Sequence, residues 1–241
     1  MFHLAEGLAL CALVFPLVGA SRRARVVASW SRRLLKICRV RVSQLGTPEA
    51  HALVAANHVS WLDIFVINSV APSHFVAKAE IRSWPAVGWL AAKAGTIFIS
   101  RGSRRDLRQT FQGIVGELRQ GQRVAFFPEG TTAAQGTLLP FHANLFEACI
   151  DAEVVLQPLA LAYLDEGGHA HAGVDFTGEI SFASSMLTIL AGPPVHASLS
   201  WMEPLAGQGA HRRELSAATN LAIAGALDAV FKHPGQHSVE T

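Results

Sequence analysis

The stretch His51-Ala-Leu-Val-Ala-Ala-Asn-His-Val-Ser-Trp-Leu-Asp-Ile-Phe-Val-Ile67 decides how this chain is read. Its first half, Ala52 to Ala56, is short, apolar and uncharged and ends in Asn57-His58, the pattern of a buried strand that hands polar side chains to its carboxyl end. Asp63 then stands at the start of a second apolar segment, Ile64-Phe65-Val66-Ile67. On a continuous helix, residues five apart are separated by about 140°, so His58 and Asp63 meet only if His58 lies in the turn before the helix. Strand, polar turn and helix in that order are the repeating unit of a parallel α/β sheet.

The pair carries chemistry if it meets. An imidazole with an ordinary pKa near ~6.5 can take a proton from a hydroxyl at neutral pH. A carboxylate beside it sets the tautomer and stabilises the imidazolium. The spacing alone also fits a helix-capping aspartate with an incidental histidine.

Further apolar runs at 96–99, 124–127 and 154–162 alternate with helical patterns at 105–120 and 145–152. Alternation of this kind predicts an α/β domain with a mostly parallel central sheet flanked by helices. His58, Arg101 and Glu129 would all lie just past strand carboxyl ends, the edge where such sheets bind ligands. Each has a plainer reading. Arg101 opens the basic loop Arg101-Gly-Ser-Arg-Arg105, where a solvated charge is ordinary; Glu129, in the turn Pro128-Glu129-Gly130, could cap the next element. Lys78, two residues before Glu80, is the sort of lysine that usually faces solvent. Further on, 182–190 is apolar and suits a buried helix, a lipid contact or a wall of an acyl pocket. Residues 195–200 read as an edge strand, and 212–231 as a closing helix. His169-Ala-His171 reads as a solvated turn rather than a metal site.

The amino-terminal part differs from the rest. Leu4 to Ala20 is apolar apart from Glu6 and the breakers Gly7, Pro16 and Gly19, and sits at the short end for a membrane span, so a shallow or re-entrant helix is an equal reading. The cations come after the apolar run instead of before it, which disfavours a cleavable signal peptide; if the run crosses, they favour cytoplasmic placement of the remainder of the chain. No acid occurs between Glu6 and Glu49, whereas Arg22, Arg23, Arg25, Arg32, Arg33, Lys36, Arg39 and Arg41 all fall there. With Val27, Trp30, Leu34, Ile37 and Cys38 at helical spacing, this is a basic amphipathic helix suited to anionic lipid. The expected division is a membrane-anchoring segment of helices over 1–45 and an α/β domain over 46–241.

Composition agrees. The 241 residues are 50% hydrophobic and 16% charged, drier than the roughly 25% charged content of an average soluble domain. A net charge of +2, without an aromatic pattern for RNA, makes nucleic acid a poor partner. The three cysteines are widely spaced and lack a Cys-x-x-Cys pair, so neither a disulfide framework nor a zinc site is indicated.

Ordered along the chain, Asn57-His58 through Asp63, then Gly95-Thr-Ile-Phe-Ile-Ser-Arg101, then Phe127-Pro-Glu-Gly-Thr-Thr132, then Leu156-Gln-Pro-Leu-Ala160, with Lys78 between the first two, resemble the glycerophospholipid acyltransferase family, specifically bacterial 1-acyl-glycerol-3-phosphate acyltransferases. The resemblance covers about residues 50 to 165, and four blocks in order are far more specific than any one. It implies that His58 is the general base with Asp63 its partner, that Arg101 and Lys78 contact the acceptor's phosphate, and that Glu129, Gly130 and Thr131 help bind the acceptor. Pro158 would be architectural. One departure stands out: the family's third block commonly ends in arginine, where this chain has Thr132.

The resemblance implies a membrane-associated enzyme of phospholipid biosynthesis on the cytoplasmic face of a bacterial inner membrane. It would move a fatty acyl group from an acyl carrier protein or coenzyme A thioester to the 2-hydroxyl of the lysophospholipid 1-acyl-glycerol-3-phosphate, giving phosphatidic acid. The thioester is a co-substrate; no bound cofactor or metal is expected. Thr132 keeps another lysolipid, especially lyso-ornithine lipid, open as the acceptor, and a non-catalytic lipid-binding protein is the reading from another class. A hydrolase of the serine type is disfavoured, because no Gly-x-Ser-x-Gly elbow occurs.

Overall fold

The structure, a computed structural model, describes residues 2–99 and 104–232. Its seven strands are β1 (Val40–Leu45), β2 (Ala52–Ala56), β3 (His74–Lys78), β4 (Ile97–Ile99), β5 (Val124–Phe126), β6 (Val155–Leu164) and β7 (Val195–Trp201). They form one sheet in the order β1-β7-β6-β2-β5-β3-β4. Every neighbouring pair is parallel except β6 with β7, so the sheet is mostly parallel.

Strand β2 lies at the centre. All five of its residues are 0% exposed, because a helical layer covers each face of the sheet. Val54 and Ala56 belong to a cluster with Leu62, Val66 and Ile67 of α3 (Leu62–Val70) and Leu35 of α2 (Ala20–Ile37). Leu53 and Ala55, pointing the other way, pack with Ile114 and Leu118 of α5 (Arg104–Arg119) and Ala148 and Cys149 of α6 (Glu147–Ala152). Helix α8 (Arg212–Lys232) closes that second face over β6 through Ile223, Leu227 and Val230. The sequence alternation of β2 is thus spent on two apolar sides, which is why it contains no polar residue.

Two expectations need correction. The strand at 195–200 is not an edge: β7 is hydrogen-bonded to β6 on one side and to β1 on the other. Strand β1 continues the chain after the turn that ends the basic helix α2, and takes the edge itself, so the sheet begins at Val40, inside the expected amino-terminal segment. Of the three readings open for 182–190, the structure sets aside the buried one: the segment is a helix, α7 (Phe182–Ala191), with Ser185 and Ile189 as its buried residues.

Ahead of α2, a short α1 (Phe2–Ala9) runs into a π turn over Leu10–Val14 and a 3₁₀ turn over Phe15–Leu17. Pro16, inside that 3₁₀ turn, ends the helical run. Among the described residues no helix is long and apolar enough to cross a membrane. α1 folds back on α2, where the Trp30 ring stacks on His3 with centroids 4.4 Å apart and the indole N–H donates to the His3 carbonyl at 3.0 Å. The cations Arg22, Arg23, Arg25, Arg32, Arg33 and Lys36 of α2 are all exposed.

Candidate active site

Strands β2, β5 and β3 are parallel neighbours, so their carboxyl ends share one edge, and His58, Glu129 and Lys78 lie along it. β2 ends at Ala56, and the chain turns through Asn57-His58-Val59-Ser60 before α3 begins at Leu62. Asn57 anchors the turn: its amide nitrogen donates to the Leu161 carbonyl at 2.9 Å, and its amide oxygen accepts from the Leu161 N–H at 2.7 Å. An amide carries a donor and an acceptor on separate atoms, whereas an ionised carboxylate only accepts.

With the turn so held, the His58 Nδ1 lies 2.7 Å from Asp63 Oδ2. The same oxygen accepts from the backbone N–H of Val59 at 2.8 Å and Ser60 at 3.1 Å. Asp63 is 0% exposed, sits in the first turn of α3 and takes a fourth hydrogen bond on Oδ1, from the Tyr163 hydroxyl at 2.6 Å. Four contacts thus converge on a buried carboxyl at the start of α3 and fix its orientation. With Nδ1 engaged by Asp63, Nε2 is the ring nitrogen of His58 that remains to meet an acceptor hydroxyl. The imidazole lies flat on Phe127, with centroids 3.9 Å apart and planes at 8°. Phe127 in turn faces Phe75 at 6.0 Å. The ring therefore has one apolar wall and one fixed hydrogen bond, which leaves it little rotational freedom.

Glu129 joins His58 directly but through the backbone. Its Oε1 accepts from the His58 N–H at 2.8 Å and its Oε2 from the Leu139 N–H at 2.9 Å, and the residue is 4% exposed. Burial pushes its carboxyl above the usual range, an effect opposed by those two hydrogen bonds. Both oxygens are engaged in clamping two loops together. Gly130 makes the clamp reachable: its φ of +71° lets the chain reverse after β5, with its N–H on the Phe127 carbonyl at 3.1 Å. Thr131 is exposed beside it. Thr132 donates its hydroxyl to the Phe176 carbonyl, while the Phe176 N–H donates to the Val59 carbonyl at 3.1 Å and Ala133 N–H to the His58 carbonyl at 2.8 Å. The residue that replaces the family's arginine thus fastens the third block to the segment after β6.

Lys78 is the last residue of β3 and is exposed. Two strand spacings, about 10 Å, separate its strand from β2. Arg101 lies outside the described residues. His169 is exposed, as a solvated turn requires, but His171 is not: it is 4% exposed, its N–H donates to the Tyr163 carbonyl at 2.9 Å and its carbonyl accepts from the Gln135 side chain at 3.2 Å. That half of the turn is a brace behind Tyr163. Among the described residues no group of three or more histidine, cysteine or acidic side chains could hold a metal ion.

Tyr163 is the functional residue that sequence reasoning missed. It is the single tyrosine of the chain and lies one residue past the apolar run at 154–162. Residues 159, 161 and 163 alternate onto the face packed against α3, and β6 outruns β2, whose last residue Ala56 pairs with Leu159. The strand therefore carries Tyr163 past the end of β2, over the His58 turn. A polar tip at an inward position of a long apolar strand was the available signal.

Comparison with known proteins gives a consistent picture. The family model described as Acyltransferase matches residues 38–162. The lyso-ornithine lipid O-acyltransferase of Pseudomonas aeruginosa is 37% identical over 206 residues, covering 85% of this chain and 79% of that one. The 1-acyl-sn-glycerol-3-phosphate acyltransferase of Neisseria gonorrhoeae is 52% identical over 116 residues, a match that spans 48% of this chain and 46% of that enzyme. The crystal structure of the 1-acyl-sn-glycerophosphate acyltransferase of Thermotoga maritima shares the fold, with a TM-score of 0.68 at 20% identity over 95% of this chain and 88% of that one.

Proposed function

The chain belongs to the Acyltransferase family, and from that premise we propose that it transfers a fatty acyl group from a thioester to the free hydroxyl of a lysolipid at a membrane surface. The observation that carries this reading is the His58–Asp63 contact at 2.7 Å, with Asp63 fully buried and Nε2 the ring nitrogen left to meet the acceptor.

In the proposed step, Nε2 removes the proton of the acceptor hydroxyl as the oxygen attacks the thioester carbonyl. Asp63 stabilises the imidazolium that results. Collapse of the tetrahedral intermediate breaks the carbon–sulfur bond, and the thiolate leaves with the proton from Nε2. The products are an ester and a free thiol, so the donor is an acyl carrier protein or coenzyme A thioester and no group on the enzyme is acylated. The step uses side chains and the co-substrate alone, without a bound cofactor.

The first choice of acceptor is 1-acyl-glycerol-3-phosphate, with phosphatidic acid as product. Lys78 and Arg101 are the cations assigned to its phosphate, because Thr132 has its hydroxyl committed to the Phe176 carbonyl. Gly130 and Thr131 border the acceptor, and Glu129 acts by holding the His58 turn. A second reading, lyso-ornithine lipid as acceptor, is favoured by the same threonine and by the similarity to the Pseudomonas protein. The basic helix α2 and the apolar turns before it supply the attachment to anionic lipid, on the cytoplasmic face of the inner membrane.

The test is acyl transfer by the full chain in lipid vesicles, with labelled acyl carrier protein and coenzyme A thioesters offered against both acceptors. His58→Ala should lower turnover by roughly 10²–10⁴ while the protein stays folded and vesicle-bound. Phosphatidic acid formation supports the first reading, and product from lyso-ornithine lipid alone supports the second. No product from either, or free fatty acid in place of an ester, would refute the proposed transfer.

A further inference from the structure

Helix α7 has the wrong outer surface for a helix in water. Leu187 is 63% exposed, Leu190 38% and Phe182 37%. No aspartate, glutamate, lysine or arginine occurs from Ile180 to Met202. A surface helix of a soluble protein sets charged and polar residues opposite its apolar stripe; this one shows leucines on the side it turns outward.

The apolar surface continues onto the segment before β4. Trp84, shortly before α4 (Val87–Lys93), and Trp89, on it, are exposed at 44% and 40%, with Val87 between them at 37%. Trp84 meets the Phe182 ring of α7 edge-on at 6.3 Å. Cations border this surface: Lys93 Nζ lies 5.7 Å from the Trp89 ring and the Arg82 guanidinium 5.7 Å from Phe98. Exposed tryptophans bordered by basic residues match a bilayer interface, where the ring sits among headgroups and the cation meets lipid phosphate.

This surface is fastened to the catalytic turn and to the amino-terminal helices. Trp61, from that turn, packs on Phe182 at 5.0 Å and donates its indole N–H to the Ser185 hydroxyl of α7 at 3.1 Å. Phe65 then links Trp61 to Trp30 of α2, at 5.9 and 5.8 Å. At its other end α7 is held by Arg39, whose guanidinium donates to the Gly192 carbonyl and to that of Leu190.

We propose that α7 and the Trp84–Lys93 segment form a second lipid-contacting surface, which docks on an anionic bilayer together with the amino-terminal helices and holds the His58 turn at the membrane. The inference rests on the lysolipid reading for its purpose, but its test does not require turnover.

The full chain carries Leu187→Cys, or Leu13→Cys in the amino-terminal turn, labelled with a polarity-sensitive fluorophore; Cys11, Cys38 and Cys149 are buried. Each is titrated with phosphatidylglycerol–phosphatidylethanolamine vesicles and with phosphatidylcholine alone. Both labels should shift to the blue on the anionic vesicles and be quenched by lipids brominated in the acyl chain. Trp84→Ser with Trp89→Ser should weaken vesicle partition about tenfold, the scale of losing partly inserted aromatic rings. A Leu187 label that stays water-like while the Leu13 label shifts would overturn the proposal in favour of attachment by the amino terminus alone. A blue shift that needs no vesicles and grows with protein concentration would overturn it in favour of a second copy of the chain. Acyl transfer by the same proteins in detergent tests the catalytic reading separately.

Discussion

Replacing Tyr163 by phenylalanine removes one oxygen atom from the centre of the proposed machinery and leaves the volume of the core nearly unchanged. The lost contact is the hydroxyl's 2.6 Å hydrogen bond to Asp63 Oδ1, made where both residues are 0% exposed. A hydrogen bond to a charged partner contributes about 1.5–3 kcal/mol, which for a chain of this size lowers Tm by roughly 3–12 °C. The same change has a kinetic signature. Without the tyrosine donor, Asp63 Oδ1 loses its hydrogen bond and the carboxyl is freer to rotate away from His58 Nδ1. The base is then less well oriented, so kcat should fall about tenfold, equivalent to ~1.4 kcal/mol, while KM stays unchanged because Tyr163 is fully buried and out of reach of substrate. The assay is steady-state acyl transfer by the two proteins, beside their thermal melts. A kcat that stays in place while Tm falls would refute the assignment of Tyr163 as a positioning residue for Asp63.

The same geometry sets three further outcomes. Glu129→Gln places an amide NH₂ where one of two backbone N–H donors, His58 or Leu139, needs an acceptor; stability should fall by about 1–3 kcal/mol in denaturant titration and kcat should fall with it, whereas a role only in acceptor binding would raise KM alone. His196 has its pKa lowered by burial and then by Arg41, so the folded state resists protonating it. Its contribution is complete above the ordinary histidine pKa and is lost as pH falls through its lowered value; because the ring is hydrogen-bonded to the Ser43 hydroxyl at 2.7 Å, melts of wild type and His196→Gln should converge on acidification and part toward neutral pH. Cys149 is 0% exposed and its thiol is pushed up to about 11 by burial, so an aromatic disulfide reagent should leave it unmodified until the protein unfolds.

Much of the candidate site was legible because its cues are local. Strand β2, the turn after it and the start of α3 are contiguous, and the hydrophobic pattern requires His58 to precede the helix. That strand-end logic also located Glu129 after β5, whereas β3, with His74 and Lys78 polar at its ends, carried no clear strand signal. What Glu129 does was not local: its two partners are 71 and 10 residues away, and only their approach turns a candidate acceptor ligand into a clamp. Thr132 is a parallel case, since its partner Phe176 lies beyond β6.

The sequence by itself determined the alternating elements, the apolar faces and the ordered blocks that mark an acyltransferase, because periodicity and motif spacing are properties of neighbours along the chain. Tertiary structure decided the order of strands, which put β1 rather than β7 at the edge, since strand order depends on how crossovers pack. It also brought Tyr163 to Asp63 from 100 residues away and left the leucines of α7 facing outward. Burial is a relation between distant segments, and an apolar helix reads alike whether protein or lipid is to cover it.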